Sequence, residues 1–288
     1  MQLSVRAAVL AICALAFTLG ACSRGRPVPV EEAGPAPQPR QFVAEAGHSP
    51  PFARRSYAGF SRTEAIAIAR QEWRLFGQPV YDDPPRTGPD PDPGDSPSRS
   101  PGAWERIGEY WWLGQDADRR EARWTGMHDE NGQEIADGRD DFYAWSAAFI
   151  SYVMRTAGAG ARFPYAPSHY VYIDVAKDMT LGRTSGWAVF AERVGAYAPV
   201  PGDLICFSRA SRRPMTYERL PAPRFPAHCD MVVARGKGQI SVIGGNVNHA
   251  VTMKHVPVTA DGKLADSSGD VLDTRYPWFV VLRIQYDH

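Results

Sequence analysis

Apolar residues fall into two textures along the chain. In the first, Trp145, Ala148, Phe149, Tyr152 and Val153 recur at i, i+3, i+4, i+7 and i+8, the period of a helix with one buried face. Asp140 and Asp141 stand ahead of it where acidic side chains cap open N–H groups, and Gly158 follows as a stop, so Ser146 is expected in the first turn. Ser61-Arg62-Thr63-Glu64 is a capping box, and Ile66, Ala69, Trp73 and Phe76 share a face, which predicts a helix from Arg62 to Phe76. Trp104, Ile107 and Trp111 predict a shorter one, Ser168 caps a further helix to about Asp178, and Gly186 to Val194 reads as another. Trp124 to Arg139 is turn-like, with Asn131-Gly132 and Asp137-Gly138.

From Pro199 the texture changes to short apolar runs separated by Gly, Pro and Asn: Leu204 to Phe207, Cys229 to Ala234, Ile240 to Ile243, Val251 to Val258 and Trp278 to Ile284. These predict an antiparallel sheet. Helices first and strands afterwards, without internal repeats, define an α+β domain.

Two stretches lack any apolar period. Ser23 to about Ser56 is rich in Pro, Ala, Gly and charge and reads as a tether; Asp82 to Gly102 is broken by Pro or Gly every few residues and reads as a disordered insertion. Ahead of the tether, one positive charge in Met1 to Arg6 precedes an apolar run, Ala7 to Leu19, too short to span a bilayer. Leu19-Gly20-Ala21-Cys22 closes it and resembles a bacterial lipobox, which implies lipidation of Cys22. The expected organisation is a signal peptide over 1–21, a lipidated Pro-rich tether over 22–57 and one domain over 58–288, held at the periplasmic face of the outer membrane, with inner-membrane retention the alternative. Extended as polyproline, the tether reaches roughly 100 Å. Among 288 residues, 44% hydrophobic, Lys+Arg and Asp+Glu both number 32, so no basic excess exists to neutralise phosphates and nucleic acid is set aside as a partner.

Candidate chemistry lies at three places in order: Ser146 at a helix start, His228 at a strand start and Asn246 at a strand end. A nucleophile needs a base in hydrogen-bond reach, and the base needs a third group to fix its ring. Taken singly, the three read as a capping serine, a satisfied strand histidine and a turn residue, and sequence alone does not bring them together.

Their setting carries a resemblance. Trp145-Ser146-Ala147-Ala148-Phe149, Pro201-Gly202-Asp203-Leu204-Ile205, His228-Cys229-Asp230-Met231-Val232 and Ile243-Gly244-Gly245-Asn246 resemble, in order, the nucleophile helix, first strand, histidine strand and third-residue strand of the CHAP and NlpC-type cell-wall hydrolases. Tyr110-Trp111-Trp112, Trp145 to Ser151 and Gly202 to Cys206 are also similar to bacterial lipoproteins grouped as domain of unknown function 2272. The hydrolase resemblance implies a papain-like fold, an amidohydrolase or peptidase active on peptidoglycan, muropeptide or a related amide, and catalysis by Ser146, His228 and Asn246 without a cofactor. Trp145, His169 and Tyr172 are the expected substrate contacts.

The chain departs from the hydrolases at the nucleophile, carrying Ser146 where they carry cysteine. A thiol near histidine ionises readily, whereas a hydroxyl loses its proton only during attack. Two outcomes stay open: a serine-variant hydrolase, or an inactive peptidoglycan-binding or scaffold lipoprotein. Of the cysteines, Cys13 leaves with the signal and Cys22 is lipidated. If Leu204 to Phe207 pairs antiparallel with His228 to Val232, strand alternation puts Cys229 on the face opposite His228, and a register setting it opposite Cys206 is one option, which leaves a disulfide and two buried thiols both open. His249 and His255 lack companions at metal-ligand spacing, and Asp129 to Gly132 lacks a calcium-loop ligand series, so no metal site is expected.

Overall fold

A computed structural model describes residues 59–84, 96–136, 139–210, 212–264 and 273–288, apart from the side chains of Asp140 and Asp141. The expected signal peptide, Cys22 and the expected tether lie outside the described residues, as does 85–95 of the expected insertion. The described part is mixed α+β, with four α-helices and a six-stranded antiparallel sheet. Among these residues no helix is long and apolar enough to cross a membrane.

The helices come first. α1 spans Arg62–Leu75, with Ser61 Oγ accepting the Glu64 N–H at 3.3 Å. α2 spans Ala103–Gly114, α3 Ser146–Thr156 and α4 His169–Thr180. In α3 the expected N-terminal aspartates do not stand at the cap: Trp145 is the N-cap residue, and Asp140 and Asp141 belong to a separate 3-10 turn upstream, whereas Gly158, with a φ of 94°, follows the C-cap Ala157 as the expected stop. Arg106 of α2 bonds the buried Glu72 of α1 and Tyr152 of α3, and Tyr110 donates to Glu72 at 2.7 Å, so one satisfied polar knot ties three helices together.

The strands are β1 (Val189–Glu192), β2 (Leu204–Ser208), β3 (Ala227–Arg235), β4 (Gln239–Val247), β5 (Ala250–Pro257) and β6 (Trp278–Ile284), in the order β1-β6-β2-β3-β4-β5. The helix expected over Gly186 to Val194 is instead β1, an edge strand pairing Val189 with Ile284. A short apolar run does not distinguish the two periods, and a free hydrogen-bonding edge on β6 decides for the strand. The expected disorder to Gly102 is also corrected at its end: Ser96, Ser98 and Arg99 are buried, and the Arg99 guanidinium donates to the Ile135 carbonyl at 2.5 Å.

Alternation along the strands builds two cores. Cys206, Cys229, Met231, Ile243, Val251 and Leu282 pack with α3 through Phe149, Ile150 and Val153. The intervening residues Ile205, Phe207, Val232, Val242, Val256 and Val281 form a second cluster with Tyr276 and Trp278. Cys206 and Cys229 are register partners in the β2–β3 ladder and are joined by a disulfide. That link closes a loop across 23 positions, and opening it is expected to cost about 3 kcal/mol through the freed unfolded chain. Thermal unfolding with and without a thiol reductant checks this: the midpoint should fall by several degrees, and the Cys206→Ser/Cys229→Ser double variant should show no further response to reductant.

Candidate functional site

Ser146 is the first residue of α3 and α4 opens on His169, because Pro167-Ser168 halts the preceding chain just where the helix period begins. Packing brings the two helix starts together: Ser146 Oγ lies 2.7 Å from His169 Nε2, and Tyr172, one turn along α4, bonds His169 Nδ1 through its hydroxyl. All three are buried, at 5%, 4% and 0% exposure. Burial, and then the neighbouring His228, push the His169 pKa well below the ordinary histidine value, so the imidazole is neutral.

A neutral ring carries one proton, which leaves two placements. With the proton on Nδ1, donated to the Tyr172 oxygen, Nε2 accepts the Ser146 O–H, the arrangement in which a base activates a hydroxyl. With it on Nε2, the ring donates to Ser146 and the phenol donates to Nδ1. Burial holds the Tyr172 phenol protonated in either case.

A second buried cluster stands beside this one. His228, near the start of β3, has its ring centroid 5.2 Å from that of His169. Its Nε2 lies 3.0 Å from Asp230 Oδ1, two residues along the same face, and Lys254 Nζ of β5 lies 2.7 Å from Asp230 Oδ2. Asp230 is fully buried, and burial alone would raise its pKa; the ammonium of Lys254 and the His228 ring outweigh that and keep it ionised far below the usual carboxylate range. Burial also lowers the His228 pKa, against the pull of Asp230. Room for the cluster comes from Gly244, where an added Cβ would sit 1.9 Å from Asp230 Oδ1 and 2.9 Å from His228 Nε2.

The expected trio is therefore only partly assembled. Ser146 is bonded to His169, not to His228, and His228 is oriented by Asp230, not by Asn246. Asn246 sits at a break in the β4–β5 register with a left-handed φ of 55°, a conformation asparagine tolerates better than other residues with a Cβ. It lines a cleft of about 670 Å³ together with His228, Arg209, Lys254 and Tyr276. Trp145 is a packing residue, stacked on Phe76 at 5.9 Å and tilted against Tyr110 at 5.8 Å. Tyr172, fully buried, holds His169. Asp230 was legible in principle, since alternation puts it on the His228 face; Lys254 was not, because nothing in Val251-Thr252-Met253-Lys254 marks a lysine as buried. Among the described residues no group of His, Cys, Asp and Glu is arranged to hold a metal ion.

The two neutral histidines make stability depend on pH. Their folded pKa values lie below the ordinary 6.5, so as pH falls through 6.5 the unfolded chain takes up protons that the folded one refuses, and stability drops. Asp230 works in a lower window, its contribution lost only below the ordinary 3.8. Unfolding midpoints in urea from pH 7.5 to 5 are expected to decline steadily, with a shallower slope for His169→Gln; a flat profile would contradict neutral burial.

The fold and site together define a class: a mixed α+β protein carrying a helix-start serine bonded to a histidine, beside a sheet-borne His–Asp–Lys cluster. A family model described as an uncharacterized protein conserved in bacteria (DUF2272) matches residues 98–284, which take in every residue of both clusters, and the chain belongs to that family. No curated protein and no solved structure matches the chain.

Proposed function

We propose that the chain is an envelope lipoprotein whose papain-like, CHAP/NlpC-type domain hydrolyses an amide of peptidoglycan or a related peptide, with Ser146 as nucleophile and His169 as its base. The observation that carries this reading is the 2.7 Å bond from Ser146 Oγ to His169 Nε2 at the start of a helix. With Nδ1–H donated to Tyr172, Nε2 takes the hydroxyl proton as Ser146 attacks the carbonyl carbon, and the C–O bond forms. The tetrahedral oxyanion is met by the open N–H groups of the first turn of α3, at the positive end of the helix dipole. The imidazolium then returns its proton to the departing amine nitrogen as the C–N bond breaks, and water, deprotonated by His169, cleaves the resulting ester. The Cys206–Cys229 disulfide agrees with an exported chain, since such links persist in oxidising compartments.

One observation favours a second reading, a binding or scaffold lipoprotein without turnover. The cleft is lined by His228 and Asn246 but not by Ser146 or His169, so the proposed nucleophile and base do not open onto it. Incubating purified full chain with peptidoglycan separates the two: soluble fragments with new amine termini support hydrolysis, whereas retention on the wall without fragments supports the binder.

A further inference from the structure

The cleft lined in part by His228 carries its own chemical signature. Its described lining includes three cations, Arg209, Lys254 and Arg275, and no carboxylate. Two of these are already engaged. Lys254 is paired with Asp230, and Arg275 grips both Asp273 oxygens and donates to the carbonyls of Asp82 and His255. The exposed guanidinium of Arg209 makes no hydrogen bond or ion pair with any described residue. The same lining includes the aromatic rings of Phe207 and Tyr276 and the amides of Asn246 and Asn248. Ser208 Oγ adds a donor: it accepts the N–H groups of Ala210 and Met215 at 3.3 and 2.9 Å, which leaves its own proton unused among the described residues.

We propose that this cleft binds a ligand bearing a single carboxylate, gripped by Arg209 and the Ser208 hydroxyl, with the adjoining uncharged part laid against Phe207 and Tyr276. One unspent cation, flanked by neutral donors and apolar rings, matches one negative charge on a small amphipathic chain, and a guanidinium fork fits a carboxylate in particular. A polyanion would need more unspent cations than the described cleft supplies.

The site deepens the hydrolase reading, on which it rests for the assignment of the cleft as the substrate's approach; the substrate class becomes a peptide amide with a free carboxylate nearby. Arg209 also bears on the chemistry, because its charge is among the causes that lower both histidine pKa values. A carboxylate bound there offsets that charge and raises the basicity of His169 when substrate is present.

The test uses the purified full chain carrying Ser146→Ala, so that binding is read without turnover. Its probes are N-acetyl-alanyl-alanine, tried in both enantiomeric forms, and the same peptides as C-terminal amides. Titration followed by calorimetry or by NMR shifts is expected to show at least one free acid binding on the order of tenfold more tightly than its amide. Arg209→Gln should abolish that preference, whereas Arg212→Gln, outside the cleft lining, should keep it. Equal affinity for acid and amide, no binding of either, or a preference surviving Arg209→Gln would overturn the proposal. Acid preference in a wild-type chain that releases no wall fragments retains this site and rejects the hydrolase; fragment release without acid preference does the reverse.

Discussion

Ser146→Ala is expected to lower release of amine-terminated fragments from peptidoglycan by about a thousandfold or more, since a nucleophile and its base act as a unit. His169→Ala should lower it to a similar level, and combining the two should cost little beyond either alone. That non-additivity is the signature of one proton passing between two atoms 2.7 Å apart. Tyr172→Phe is the finer probe. It removes the oxygen facing Nδ1, so His169 keeps its place but loses its tautomer control; activity should fall by a smaller factor, with kcat carrying the change and KM holding. His228→Ala should be milder than His169→Ala, because the hydroxyl of Ser146 has no bond to His228. Equal and deep loss in Ser146→Ala and His228→Ala, with His169→Ala active, would return the base role to His228 and require Ser146 to change partner.

The largest expected change in stability comes from one glycine. Gly244→Ala sets a methyl group 1.9 Å from Asp230 Oδ1, and that carboxylate cannot retreat, being fully buried, flanked by His228 and held by Lys254 of β5 across the intervening β4. Either the carboxylate leaves the lysine or β4 leaves β3. Breaking a buried ion pair costs about 3–5 kcal/mol, because the surviving charge has neither water nor a partner. For a domain of this size each kcal/mol lowers the unfolding midpoint by roughly 2–4 °C, so a drop on the order of 10 °C is expected by calorimetry. Gly236→Ala is the control: an added Cβ there meets nothing closer than 3.6 Å, and the midpoint should move little. Lys254→Ala should approach the Gly244→Ala effect, while Asp230→Asn combined with Lys254→Met, which removes both charges, should be better tolerated than either change alone.

Much of the scaffold was legible because local chemistry and global packing agree. Ser61 caps α1 where the helix start reads, although its own N–H goes to the Ala157 carbonyl and not back to Glu64 as a full box requires; α3 forms over its apolar period but is buried on all sides, against α2 as well as the sheet; and the five strand runs after Pro199 all pair. β1 was misread because nine residues of mixed character fit either period, and only the free edge of β6 decides between them. The site was half legible. Ser146 is marked by its position at a helix start, a local feature. Its partner is not local: His169 and His228 each stand at the start of a regular element, and which of them meets Ser146 depends on how α4 docks beside the start of β3. Motif order favoured His228, whereas the geometry gives Ser146 to His169 and supplies His228 with its own carboxylate. Lys254 escaped altogether, since a lysine in an alternating strand ordinarily points to water and only the buried Asp230 beneath it explains its place.

A Ser146 hydroxyl activated by His169 is a nucleophile that a covalent probe can report directly. The most direct measurement is the intact mass and peptide map of the full chain after exposure to a fluorophosphonate, which phosphonylates a serine oxygen with loss of fluoride only where a base activates it. One adduct on Ser146, lost in His169→Gln and retained in Gly236→Ala, is the predicted result. No adduct on Ser146 under conditions that label a control serine hydrolase to completion, or an adduct undiminished in His169→Gln, would contradict it.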